Sequence, residues 1–199
     1  MQSLDETFKD LQQRLASGRD LGSTGTDPIY YLVFPVSQIL EAKRKLPAWR
    51  GWLGNQGWDV EECSMHKIVQ EIFSTDKLRK FWLESEKMSL QHGSRSGDGF
   101  DTQDVTKTLV NSLTESGQIV STIHAALERA GSKKRGILLI TDLEALHPFL
   151  RINSIEAQMH GRVKCPVVVL YPGKREGKTS LRFLEIYPAD PNYRSEHLG

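Results

Sequence analysis

Two apolar runs, Ile137-Leu-Leu-Ile-Thr141 and Pro166-Val-Val-Val-Leu-Tyr171, decide how this chain folds. Each is short, rich in branched residues and bounded by turn formers, as a strand buried on both faces should be. Helix-like stretches separate these runs from each other and from the earlier apolar run Ile29-Tyr-Tyr-Leu-Val-Phe34. Strands alternating with helices predict a three-layer α/β fold, with a mostly parallel central sheet flanked by helices.

The second run leads into Gly173-Lys-Arg-Glu-Gly177-Lys178-Thr179, which looks at first like a phosphate-binding loop. That loop needs four residues between its glycines, so that backbone N–H groups curl around the phosphates, and it must open a helix. Here three residues intervene, and Ser180-Leu-Arg-Phe-Leu-Glu-Ile-Tyr187 alternates like a strand. The expectation is an antiparallel C-terminal edge hairpin whose turn geometry comes from Gly173 and Gly177.

Working back towards the N-terminus, Leu4, Phe8, Leu11 and Leu15 recur at helical spacing and predict a helix over about 3–17. Ser37 offers a cap for a helix that Pro47 restarts or kinks, and Trp58 to Cys63 is a weaker strand. Two helices follow, through Ile72 and through Trp82. The turn-rich stretch at about 91–100 is expected to be mobile, and a long helical region is expected to break near Ser116-Gly117. The whole reads as one domain over 1–199.

The formal net charge is +1, with 26% charged and 38% apolar residues. This is a soluble globular composition with no global field towards DNA or lipid. Lys133-Lys134-Arg135 reads as solvated loop, and no direct nucleic-acid binding is expected. No apolar run has the length of a membrane span. Cys63 and Cys165 read as small buried residues in a reducing cytoplasm.

Open parallel sheets place ligands beyond the carboxyl ends of their strands. Asp142, directly after a buried run, stands where P-loop enzymes keep a magnesium-organising acid. No phosphate cradle accompanies it, so it is read as a helix- or turn-capping residue. Glu176-Gly-Lys178 and Glu41-Ala-Lys43 have the spacing of a metal-dependent nuclease. The first falls in the predicted turn and the second on a helix, where the metal geometry fails. The six histidines show no zinc spacing and no nucleophile elbow appears, so no catalytic residue, metal or cofactor is assigned. What remains is a candidate partner or ligand surface made of Asp142, His147, Phe149, Arg151, Tyr171 and Arg175.

Several pieces come in a familiar order: Leu138-Leu-Ile-Thr141, His147-Pro-Phe149-Leu150-Arg151, Pro166 to Gly173, Ser180-Leu-Arg182 and Asp190-Pro-Asn192-Tyr193-Arg194. In that order and spacing the chain resembles the BrxB family of the bacterial BREX (bacteriophage exclusion) defence system. The resemblance is firm over the C-terminal third. It departs in the charged Lys174-Arg175-Glu176 turn and in the glycine-rich loop at 91–99. It implies a cytoplasmic accessory or scaffold subunit without catalytic activity of its own. Such a subunit would serve a machine combining an ATPase, an adenine methyltransferase and the phosphatase-like PglZ protein, with PglZ its direct partner. The alternatives are a degenerate P-loop-like nucleotide-binding protein and a metal-dependent nuclease.

Overall fold

A computed structural model describes residues 2–17, 27–92, 102–177, 180–190 and 195–199. Five strands form a parallel sheet: β1 (Ile29–Phe34), β2 (Asp59–Ser64), β3 (Gly136–Thr141), β4 (Val167–Glu176) and β6 (Glu196–Leu198). Their spatial order is β2-β3-β4-β1-β6. Within β1 the side chains alternate between two cores. Ile29, Tyr31 and Val33 join one, and Tyr30, Leu32 and Phe34 the other. All six are buried, which is why the run carries no polar positions.

One face is covered by α1 (Leu4–Ala16) and α2 (Ile39–Asn55). Ser3 starts α1 with a reciprocal capping box: its hydroxyl accepts from the Glu6 N–H, while its own N–H donates to Glu6. Leu4, Phe8, Leu11 and Leu15 then face inward, and Phe8 stacks on Trp49 of α2 at 4.8 Å. Each such burial contributes about 1.5–3 kcal/mol. Pro47 lies inside α2, which continues through it.

The opposite face holds α3 (Met65–Thr75), α5 (Thr102–Thr114), α6 (Gln118–Gly131) and α7 (Ile152–Met159), with α4 (Arg79–His92) beside α3. The expected break near Ser116-Gly117 separates α5 from α6, where Gly117 takes a left-handed φ of 61°. Because α4 runs to His92, the first positions of the stretch expected to be mobile are helical. The rest of that stretch, at 93–100, lies outside the described residues, as do Gly22 to Thr26 and the tail at 191–194.

The C-terminal hairpin is present, with two differences in detail. β4 does not turn at Gly173. It runs on to Glu176 and pairs antiparallel with β5 (Ser180–Phe183), while Gly177, at φ 69°, begins the turn. Gly173 serves close approach instead, since a Cβ there would sit 2.2 Å from the Arg182 carbonyl oxygen. β5 stops at Phe183 although the alternation continues to Tyr187, because Leu184 and Glu185 turn left-handed at φ 51° and 61°. The short strand β6, parallel to β1, was not signalled by any apolar run.

Candidate functional site

At the carboxyl edge of the sheet, Asp142 leaves β3 in a left-handed conformation, φ 59°, which aspartate tolerates better than most residues. Its side chain caps no helix. Instead Oδ2 accepts from the Ser64 hydroxyl at 2.6 Å and the Thr141 hydroxyl at 3.0 Å, and Oδ1 lies 2.9 Å from the Lys43 ammonium. Ser64 ends β2 and at the same time caps α3 by accepting from the Lys67 N–H. Lys43, projecting from α2, also reaches Glu144 at 2.6 Å. Burial works against the Asp142 anion, but the Ser64 hydrogen bond and the Lys43 ammonium outweigh it and hold the carboxyl below its ordinary value. Burial likewise disfavours the Lys43 cation, and the hydrogen bonds to Glu144 and Asp142 outweigh it, so the ammonium is raised. The result is a charged pin joining α2, β2 and β3, with Asp142 and Lys43 each held in its ionised form.

Beside the pin, a second group forms around Tyr187. His147 Nδ1 and the Tyr187 hydroxyl lie 2.6 Å apart, the Arg151 guanidinium sits over the Tyr187 ring at 4.3 Å, and Phe183 stacks beneath it. Phe149 turns the other way, meeting Phe73 edge-on at 5.9 Å, and Phe73 in turn contacts Trp82. Tyr171, expected at the partner surface, is fully buried between Tyr31 and Phe183, because its place in β4 points it into the core. Arg175 braces the hairpin, donating to the Gly177 and His197 carbonyl oxygens. The structure therefore brings Asp142, His147, Phe149 and Arg151 to one edge, puts Tyr171 beneath them and gives Arg175 to the hairpin and β6.

Four residues at this edge were missed. Lys43 and Ser64 come from elements far from Asp142 in sequence, so no local spacing reveals them. Leu40 and Ile186, each 67% exposed, are the largest apolar exposures in the described chain. Their only signal is an apolar residue at a position where the helix or turn should face water. The Val36 N–H donates to the Glu185 carboxylate at 3.2 Å, so the turn carrying Ile186 is tied to the segment leading into Leu40.

Of the two nuclease-like spacings, Glu176 is paired with Arg182 at 2.6 Å, and Lys178 is outside the described residues. Glu41 lies near Lys45, and Lys43 belongs to the pin. Among the described residues, no three histidines, cysteines or acids are grouped to hold a metal ion. Cys63 and Cys165 are buried free thiols, each pushed up to about 11 by burial. No described helix is long and apolar enough to cross a membrane.

No curated protein and no solved structure matches the chain. A family model described as BREX protein BrxB matches residues 62–198, which run from the second half of β2 to the end of β6 and take in Ser64, Asp142 and the whole Tyr187 group. By that match the chain belongs to the BrxB family and is a component of the BREX phage-defence system.

Proposed function

We propose that this BrxB-family chain is a non-catalytic accessory subunit that docks the phosphatase-like PglZ component through the carboxyl edge of its sheet. The observation that carries this reading is the exposure of Leu40 and Ile186 on linked segments, next to the Arg151–Tyr187–His147 group. Large apolar side chains left in water beside an arginine stacked on a tyrosine match the composition of interface hot spots. The groups that would do chemistry at this edge are already engaged with one another. Asp142 is held by two hydroxyls and an ammonium, and His147 by Tyr187. Family membership supports other BREX components as partners.

The test is co-expression with PglZ followed by affinity purification. The double variant Leu40→Asp, Ile186→Asp should lose co-purification while melting within about 2 °C of the parent, since exposed positions tolerate substitution. Undiminished co-purification of the double variant would sink this docking surface.

A further inference from the structure

The amino-terminal edge of the sheet, opposite the surface just described, collects positive charge. The loop before β3 brings Lys133, Lys134 and Arg135, the loop before β4 brings Lys164, and α1 brings Arg14. Together with Trp58 they line one groove of about 180 Å³, and no acidic side chain lines it. Arg14 pairs with Glu196 at 2.9 Å and Lys133 with Asp59 at 3.5 Å. Among the described residues, Lys134, Arg135 and Lys164 carry no ion pair, and all three are exposed. A chain of formal net charge +1 thus concentrates cations from three separate segments on one edge. Such a cluster repels itself unless an anion joins it. The carbonyl end of α6 offers a partner to a neighbouring cation. It does not account for three unpaired cations around one groove.

Two features choose the anion. First, the groove adjoins two further depressions, sharing Trp58 with one beside α2 and Lys164 with another between α6 and the turn after α7. The second depression adds Arg162 together with Glu128, and the first adds Arg50 together with Asp59. Lys164 is laid close against the end of α6, where a Cβ on Gly131 would come within 3.2 Å of its own Cβ. The unpaired cations Lys134, Arg135 and Lys164, set around a groove that no acid lines, suit a chain of repeating charges better than a single small ion. Second, the Arg135 guanidinium lies over the Trp58 ring at 4.6 Å. A planar arginine on an aromatic face is a platform for base stacking, which an acidic peptide does not use.

We propose that this edge binds the phosphodiester backbone of a nucleic-acid strand without regard to sequence, with Lys134, Arg135 and Lys164 contacting phosphates. The proposal does not depend on the PglZ surface, which lies at the other end of the strands. Fluorescence anisotropy of the full chain with a fluorescein-labelled single-stranded DNA of about 20 nucleotides tests it. Three phosphate contacts on a single strand predict that affinity falls roughly 20-fold between about 50 and about 200 mM salt. In Lys134→Ala, Lys164→Ala the fall should shrink to about 2.5-fold. The variant should keep the parent's melting temperature, and Leu40→Asp, Ile186→Asp should bind the DNA like the parent. No binding at about 50 mM salt, or an unchanged salt dependence in the variant, would overturn the proposal. So would equal competition by polyglutamate of matching charge, which would assign the groove to an acidic protein.

Discussion

His197 has an environment that its sequence context does not announce. It sits in a three-residue strand, buried at 7% exposure, with its ring edge-on to Tyr31 at 5.7 Å. Burial, and then the nearby charge of Arg175, pushes its imidazole down to about 4, against an ordinary 6.5. The unfolded chain therefore takes up this proton near pH 6.5, while the folded chain resists it until about pH 4. The stability gained by keeping the ring neutral is complete above 6.5 and is lost as the pH falls towards 4. The loss is on the order of 3 kcal/mol. Glu156, buried and hydrogen-bonded by the Tyr31 hydroxyl at 2.5 Å, is raised by burial and so acts in the opposite direction. The contribution is isolated by the difference between parent and His197→Phe in urea unfolding from pH 7 to pH 4. The parent should lose more stability than the variant, and parallel curves would refute the assignment. None of this was legible locally: Glu196-His197-Leu198 has no strand pattern, and its burial comes from pairing with β1. Asp142 was legible as an acid at a strand end. Its partners were not, because Lys43 and Ser64 reach it from other elements.

At the scale of elements, the sequence pattern succeeded wherever period and burial agree. β1, β3 and the first half of β4 are continuous apolar runs and are buried strands, and α1 follows its heptad-like spacing to within a residue or two. It failed where backbone conformation decides the outcome. The β5 alternation persists to Tyr187, yet two left-handed residues end the strand and swing Tyr187 under Arg151. Gly173 was expected to make the turn, and instead it lets β4 and β5 come together where a side chain would strike backbone. Gly173→Ala should therefore cost about 2 kcal/mol, lowering Tm by roughly 4–8 °C. The local signature is faster amide exchange over 180–183, where β5 leans on β4. Unchanged exchange there would mean that the hairpin absorbs the methyl group without moving.

At the scale of the whole molecule, the sheet lies between two apolar cores, one on each face of its strands. Leu11 lies in one and Ile123 in the other, at 1% and 0% exposure. Leu11→Ala should cost about 2–5 kcal/mol and Ile123→Val about 0.5–1.5 kcal/mol. In the double variant the losses should add to within about 0.5 kcal/mol. A larger departure in urea unfolding would show that the cores are coupled through the sheet. The order β2-β3-β4-β1-β6 also bears on how the chain is made. Strand β1 emerges early, but its neighbours β4 and β6 follow more than a hundred residues later. At about 5–20 residues per second, the Ile-Tyr-Tyr-Leu-Val-Phe segment waits on the order of ten seconds for its first strand partner. Six uncharged, strand-forming residues with open edges are the kind of segment that pairs with copies of itself. The burden of shielding β1 during synthesis falls on α1 and α2, the helices that flank it in sequence and later cover one of its faces.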